Sequence, residues 1–253
     1  MRLELLLSAP LIMASKLDKL EDPQSFAAFV HLPKQLKHAR GSAPLLLFLH
    51  GAGESGRDLA GLLASGATGT PIVAIHDGTA LKTLSEDFVT VAPQTHNGWQ
   101  AETVDRFLDF LLEQLPQLDE SKLYIAGHSM GGAGALRAAA GGRFAACVAV
   151  APAGSARPAA LRGVPVWAFH GTNDVVVPSS YSERLVAGLR AAGAADDDAR
   201  LTLYADAPTP RGWPESIGHA STEPAFSTPA LYAWLLSHSK PGAGARASAA
   251  SDA

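Results

Sequence analysis

The sequence has one cysteine, Cys147, no long apolar run and no excess of basic residues, and each absence excludes a class of protein. One cysteine cannot build an intramolecular disulfide framework. A membrane-spanning helix needs about 18 or more consecutive apolar residues, and no such run occurs. The net charge of −4 and the pI near 6.1 argue against a nucleic-acid-binding surface. None of the nine histidines has a metal-binding spacing, so we expect no metal site.

What remains is the composition of a globular chain, with 47% hydrophobic and 17% charged residues among 253. We expect one large domain over residues 26–238, preceded by an N-terminal extension (1–25) and followed by a disordered tail (239–253) rich in Ala, Gly and Ser. The first residues resemble a secretory signal, but Glu4 and Pro10 interrupt the apolar patch and no clear cleavage site follows it. The interpretation is therefore an extension or edge strand in a cytoplasmic protein, with secretion left open.

Apolar, β-prone runs alternate with helical patterns along the chain, which favours an α/β domain. Strands are predicted at residues 26–32, 44–49, 87–92, 123–125, 144–151, 164–169 and 201–205, and helices at 57–65, 102–114, from 131 onward, 179–192 and near 231–236. The unbroken apolar run Pro44 to Leu49 is typical of a strand covered on both faces, as in a parallel sheet packed between helices.

One strand-to-helix junction carries Gly127-His128-Ser129-Met130-Gly131, which matches the pattern Gly-x-Ser-x-Gly. The glycines permit a tight turn that pushes the serine hydroxyl out above the sheet edge. The helix that follows directs its positive end, and the amide of Met130, toward the place where an oxyanion would form. A glycine-rich turn with an incidental serine is the alternative, because the motif is short.

A second glycine-rich loop, His50 to Gly56, follows the strand that ends at Leu49. It lacks the Gly-Lys-Ser/Thr ending of a phosphate-binding loop and the spacing of a dinucleotide-binding loop. We interpret it as the other half of an oxyanion hole, with the amide of Ala52 as the first candidate donor and that of Gly53 as the second.

An acid and a base are expected at the same sheet edge. Asp174 follows the strand at 164–169, in a context where it could also form an Asx turn, and Asp206 is the rival acid after the next strand. His219 lies at the end of a proline-rich loop and completes the chain order Ser, Asp, His. His96 remains an alternative base. We expect His50 and His128 to brace the two glycine turns, and His170 to support the acid.

Taken together, these segments resemble the α/β-hydrolase superfamily. The resemblance covers about residues 26–236 and rests on LFLHGAGE, VAPQ, GHSMGG, VWAFHGTND with VVP, and LYAWLL. Within the superfamily the chain is similar to a compact serine esterase and predicted-peptidase branch, related to phospholipase/carboxylesterases, dienelactone hydrolases and polyhydroxybutyrate depolymerase-like enzymes. The resemblance implies a three-layer α/β/α sandwich around a mostly parallel, doubly wound sheet. Residues 152–163 leave no room for a large lid domain.

By the same resemblance Ser129, Asp174 and His219 form a catalytic triad that needs no cofactor, and Ala52 and Met130 supply the oxyanion donors. The sequence departs from the family after Gly218-His219, where relatives commonly have a tryptophan and this chain does not. Trp213, in the inserted proline-rich loop, is our candidate to replace it. His128 is a further candidate for contact with substrate. Trp99 either covers the core or forms a wall of the substrate pocket.

Three functions are compatible with these residues. The first is a serine hydrolase acting on carboxylic esters or thioesters of small or chain-end acyl groups, through an acyl-enzyme. The second is a peptidase of the same fold. The third is a non-catalytic binding protein, which the presence of all three triad residues disfavours. The sequence does not indicate an oligomeric state.

Overall fold

The structure is a computed structural model, which describes residues 17–38, 42–214 and 217–240. The predicted apolar patch at Met1 to Ala14 and most of the predicted disordered tail lie outside these ranges. Within them, one sheet of eight strands runs in the spatial order β1-β2-β4-β3-β5-β6-β7-β8.

The strands are β1 (Asp18–Glu21), β2 (Ala27–His31), β3 (Ala43–Leu49), β4 (Val89–Gln94), β5 (Leu118–His128), β6 (Ala146–Val150), β7 (Val166–Gly171) and β8 (Ala199–Tyr204). The helices are α1 (Pro71–Asp77), α2 (Ala101–Gln114), α3 (Met130–Ala139), α4 (Ser180–Ala191), α5 (Thr222–Phe226) and α6 (Pro229–Ser237). Strands β3 to β8 pair in parallel, whereas β1 with β2, and β2 with β4, pair antiparallel.

Alternating side chains of β3 show how the three layers form. Leu45, Leu47 and Leu49 pack into one apolar cluster together with residues of α2, α3 and α4. Leu46 and Phe48 point the other way, into a second cluster that includes residues of α1 and α6. Because successive side chains of a strand point to opposite faces, a strand covered on both sides must be apolar throughout. The predicted three-layer sandwich with a mostly parallel sheet is therefore confirmed.

The structure differs from the predicted elements in several places. The helix expected at 57–65 is a short 3-10 segment, Leu59–Leu63, that follows a side-chain cap by Asp58. The segment expected to precede the domain contains β1, which pairs with β2 at the sheet edge. Helix α1 was not predicted, because its apolar residues are too few to display a helical period.

Candidate active site

Ser129 stands at the junction of β5 and α3 in a backbone conformation that L-residues rarely adopt, with φ 54° and ψ −116°. Its amide donates to the carbonyl of Val150 on the neighbouring strand, at 2.9 Å. Its carbonyl accepts from the amides of Ala133 and Ala153. These hydrogen bonds hold the backbone of the turn in place, so the strained conformation persists in the folded protein.

The two glycines of the serine motif are required by close backbone contacts. A Cβ atom at Gly127 would lie 2.2 Å from the carbonyl oxygen of Gly131. A Cβ atom at Gly131 would lie 2.0 Å from the carbonyl oxygen of Leu49 and 2.5 Å from that of His50. The second contact brings the start of α3 against the end of β3. The serine turn and the loop after β3 are thus packed together, as the sequence predicts for the two halves of an oxyanion hole.

The loop after β3 continues as a 3-10 turn, Ala52–Glu54. Among the residues that the structure describes, the amides of Ala52 and Met130 have no hydrogen-bond acceptor. Gly53 follows Ala52 in the turn, and a Cβ atom there would meet nothing within 4 Å. An amide without an acceptor inside the protein can donate to a bound molecule.

Asp174 lies in the loop after β7, where it is buried and held by four groups. Its Oδ1 accepts from the amides of Val176 and Val177, each at 2.9 Å. Its Oδ2 lies 2.7 Å from Nδ1 of His219 and 3.5 Å from Nε2 of His170. Burial raises the pKa of Asp174, but the hydrogen bonds from His170, His219 and Val177 outweigh it and hold the pKa well below its usual range. Asp174 is therefore a carboxylate at neutral pH.

His219 donates from Nδ1 to that carboxylate, because an ionised carboxylate can only accept. In the neutral ring, Nε2 then carries a lone pair. Residue Gly218 precedes it with φ +69°, and a Cβ there would lie 2.5 Å from the carbonyl oxygen of Asn173. The glycine thus allows the chain to pass close to the Asp174 loop and deliver the ring.

His128, the residue before Ser129, joins the serine turn to the His219 loop. Its Nε2 donates to the carbonyl oxygen of His219 at 2.8 Å, and the two ring centroids are 4.7 Å apart. Burial, followed by the charge of His219, lowers the pKa of His128 to about 3, so the ring is neutral. Ser129 and His219 are 8% and 3% exposed respectively. The loop that carries His219 is therefore bonded to the residue that precedes Ser129 in the chain.

His170 and His50 support the loops as the sequence predicts. His170 has Nδ1 2.8 Å from Oγ of Ser182 and Nε2 2.9 Å from the carbonyl of Val177. His50 donates from Nδ1 to the carbonyl of Gly51 at 2.6 Å and accepts at Nε2 from the amide of Thr95 at 3.0 Å. Both rings are buried and fully engaged in holding backbone.

Trp99 needs correction as a candidate wall of the substrate pocket, and the structure also places the two less favoured candidates, Asp206 and His96. Trp99 is 2% exposed and donates from Nε1 to the carbonyl of His50, so it supports the loop after β3 and forms no wall of a substrate pocket. Asp206 is exposed and its carboxyl lies 3.4 Å from the side-chain amide of Asn173, and it makes no ion pair with a histidine among the described residues. His96 is exposed and accepts from Arg57. Neither rival therefore joins the Asp174–His219 pair.

Trp213, the candidate replacement for the aromatic residue of relatives, lies near His219. It is 40% exposed, and its ring centroid is 6.4 Å from that of His219. The loop that carries it is held by the amide of Arg211, which donates to Oγ1 of Thr68 at 2.8 Å. An exposed indole beside the candidate base is available to an incoming molecule.

Glu54 is the residue that sequence reasoning missed. Its carboxyl is 5% exposed, inside the site rather than on the loop surface. The sequence signal that could have identified it is an acidic residue four positions after His50, in the glycine-rich turn that follows a buried strand. Polarity alone predicts solvent exposure for a loop glutamate, so only the tertiary structure reveals its burial.

Within the described ranges, the structure contains no group of three or more potential metal-ligating residues.

A serine with a strained backbone at the turn after a central parallel strand, together with a bonded Asp–His pair on later loops, is typical of α/β-hydrolase folds. The model of the alpha/beta hydrolase family matches residues 46–250. The chain therefore belongs to the alpha/beta hydrolase family.

Individual similar proteins agree with this assignment. The chain is 33% identical over 156 residues to a protein of Penicillium oxalicum named Hydrolyase poxO, a match that covers 58% of this chain and 35% of that protein. The chain thus spans about a third of the length of the curated relatives it matches.

Three solved structures share the fold. A thermostable esterase matches with a TM-score of 0.70 and 26% identity, over 88% of this chain and 63% of that one. A ferulic acid esterase matches with a TM-score of 0.58 and 21% identity, over 87% and 95% of the two chains. Est1E from Butyrivibrio proteoclasticus matches with a TM-score of 0.57 and 15% identity, over 88% and 98%. Among the described residues, no helix is both long and apolar enough to cross a membrane.

Proposed function

We propose that this protein is a serine hydrolase that cleaves carboxylic esters, or thioesters, through Ser129, His219 and Asp174. The observation that carries the proposal is the pair of contacts made by His219. Its Nδ1 donates to Asp174 at 2.7 Å, and its carbonyl accepts from His128, the neighbour of Ser129 in the chain. These two contacts support a role for His219 as the base that acts on Ser129, with Nε2 as the basic atom.

In the proposed reaction, Nε2 of His219 takes the hydroxyl proton of Ser129 as the oxygen attacks the carbonyl carbon of the substrate. The low pKa of Asp174 keeps this carboxyl ionised, so it stabilises the imidazolium that forms. The imidazolium then gives its proton to the leaving alcohol or thiol, and the acyl group remains on Ser129. Water repeats the sequence, with His219 again as base, and releases the acid.

The negative oxygen of each tetrahedral intermediate is assigned to the amides of Met130 and Ala52, with Gly53 as the second choice. Their lack of acceptors among the described residues supports this assignment. An amide that is already bonded within the protein would have to lose that bond before it could stabilise the intermediate. One such donor typically contributes about 3–4 kcal/mol to the lowering of the barrier.

Trp213 is proposed to contact the substrate and to replace the aromatic residue that relatives carry after their histidine. Its exposure and its position 6.4 Å from the His219 ring support this role. Replacement of Trp213 with Ala should change the ratio of kcat/KM values for short and long acyl esters. An unchanged ratio would remove Trp213 from the substrate site.

The similar proteins support the ester class. The structures matched include an esterase at 26% identity, and the fold is shared with a ferulic acid esterase. The ester or thioester nature of the substrate, and the activity of the whole protein, are part of this proposal.

Labelling by a fluorophosphonate tests the proposed nucleophile. We expect the wild-type protein to be labelled and Ser129→Ala to be unlabelled, with ester hydrolysis reduced by about 10⁴-fold or more. Ser155→Ala, at an exposed serine, serves as the matched control and should be labelled normally. Labelling that persists in Ser129→Ala would place the nucleophile elsewhere.

A panel of p-nitrophenyl esters, acyl thioesters and peptide anilides tests the substrate class. Ester or thioester hydrolysis that greatly exceeds anilide hydrolysis is the expected result. Preference for the anilides would identify a peptidase, and no turnover together with no labelling would identify a binding protein.

A further inference from the structure

The buried carboxyl of Glu54 lies directly beyond the candidate oxyanion amides. Burial raises its pKa, while hydrogen bonds from the amides of Glu54 and Gly51 and the charge of His219 lower it in part. Removing a carboxyl from water is costly unless it is paired or hydrogen-bonded. Its surroundings therefore decide what it can do.

His50 offers no charged partner to this carboxyl, although its Nδ1 is 4.0 Å from Oε2 of Glu54. Nδ1 must carry a proton because it is 2.6 Å from the carbonyl of Gly51, and Nε2 must be bare because the amide of Thr95 donates to it. The ring is thus neutral, and burial lowers its pKa to about 4. The close approach of His50 and Glu54 is not an ion pair at neutral pH.

The carboxyl instead faces the interior of the candidate site. A Cβ atom at Gly51 would lie 3.1 Å from Oε2 of Glu54 and 3.2 Å from Nδ1 of His128, so both side chains lie against this glycine. The ring of His128 in turn contacts His219. The neutral imidazole of His128 thus lies near both the carboxyl of Glu54 and the candidate base.

The other carboxyl oxygen points toward the loop of Trp213. A Cβ atom at Gly66 would lie 3.3 Å from Oε1 of Glu54 and 3.7 Å from Nε1 of Trp213. The carboxyl is therefore enclosed by residues that surround His219, and bulk water does not screen it.

We propose that Glu54 is a second carboxylate of the site, which acts across His128 to stabilise the cationic ring of His219 formed during turnover. It touches no reacting atom and is a positioning residue. The inference rests on the proposed function. The other ionisable groups near His219 are Asp174, which bonds it directly, His128, and His170 beyond Asp174.

The stabilisation of His219 by Glu54 differs between the ground state and the transition state. A unit charge acts strongly over several ångströms where water is excluded. The cation on His219 exists only after it has taken the serine proton, so a nearby fixed anion stabilises the transition state more than the ground state. Removal of the negative charge should lower kcat, and it should move the acid limb of the pH profile to lower pH because protonation of the free base becomes less favourable.

The test compares kcat and KM for p-nitrophenyl acetate between pH 5 and 9 in Glu54→Gln, Glu54→Asp and wild type. Glu54→Gln keeps the shape and removes the charge, and we expect kcat to fall about 10-fold and the acid limb to move down by about half a pH unit or more. Glu54→Asp should keep the acid limb near its wild-type position. Glu113→Gln, which removes an exposed charge on α2, should match wild type.

Three results would overturn the proposal. One is a Glu54→Gln variant with wild-type kcat and acid limb. Another is a loss of activity in both Glu54 variants with no movement of the limb, which would indicate a purely structural role. The third, no fluorophosphonate labelling of the wild type, would overturn the proposed function as well and is thereby distinguished from the other two. If Glu54→Gln does not fold by circular dichroism, Glu54→Asp and Glu54→Asn provide the same comparison of charge at constant shape.

Discussion

The serine turn and the loop that carries His219 meet at one sheet edge but are held there by different interactions. Backbone contacts within and beside β5 and α3 hold the turn, with Gly127 and Gly131 against main-chain oxygens. No helix or strand is present between Tyr204 and Thr222 in the described part of the loop. The loop depends on bonds to distant segments, at Thr68, His128 and Asn173. Damage to the turn should therefore cost stability, whereas damage to the loop should cost activity.

The largest expected effect is on activity, and it follows from a change at Asp174, the residue that holds the ring of His219. Asp174→Asn keeps the shape of the acid but removes its charge and disturbs the tautomer of His219, so ester hydrolysis should fall by about 10³–10⁴-fold. The measurement is kcat with a p-nitrophenyl ester, and the unfolding midpoint in urea should change little by comparison. Asp206→Asn is the matched control and should retain activity. The reverse pattern, with Asp206 essential, would reassign the acid.

The next largest effect is expected on stability, from a change at Gly131 in the serine turn. Gly131→Ala places a Cβ 2.0 Å from a main-chain oxygen of β3 that cannot move without the sheet, so the free energy of unfolding should fall by more than about 4 kcal/mol. Gly53→Ala is the matched control, because its Cβ has nothing within 4 Å, and should cost about 1 kcal/mol or less. Denaturant unfolding provides both values. Equal losses in the two variants would refute the account of the turn.

A third effect concerns the buried histidines beside both regions. The pKa of His50 is lowered to about 4 and that of His128 to about 3, against an ordinary 6.5. Below pH 6.5 the unfolded chain takes up protons that the folded protein does not, so their stabilising contribution is complete above pH 6.5 and is lost as pH falls. The raised pKa of Glu54 acts in the opposite direction.

Unfolding in urea at pH 7 and pH 5 measures this contribution. We expect stability to be lower at pH 5 by about 2–4 kcal/mol, since each pKa unit corresponds to about 1.4 kcal/mol. The difference should shrink in His128→Gln and stay unchanged in the exposed variant His96→Gln. Equal stability of the wild type at the two pH values would argue against neutral, buried rings.

The smallest expected effect concerns the hydrogen bonds that join Asn173 to the loop that carries His219. Asn173 accepts from the amide of Ala207 at 2.9 Å and donates to its carbonyl at 3.0 Å. Asn173→Ala releases this tether, so kcat should fall about 10-fold while stability changes by about 1–2 kcal/mol. Asn97→Ala, on an exposed loop after β4, should leave kcat unchanged. A stability loss without a kcat change would show that the tether does not position His219.

Much of the fold was predictable, because it depends on local patterns. Apolar runs such as Pro44 to Leu49 identify doubly covered strands, and α2 shows a clear helical period. The 3-10 segment at Leu59–Leu63 was less predictable, since a few apolar residues near glycine do not distinguish a helix type. The serine motif was recognisable because Gly127 and Gly131 approach main-chain oxygens too closely to carry a side chain.

What the sequence alone determined is most of the strands, the longer helices, the serine turn and the chain order of Ser129, Asp174 and His219, since these follow from side-chain period and local steric limits. The tertiary structure decided that Asp174 rather than Asp206 reaches His219, that Trp99 is a core residue, and that Glu54 is buried beside His128. Those outcomes depend on contacts between segments far apart in the chain. No local pattern encodes such contacts, because they exist only when the sheet has brought its carboxyl ends together.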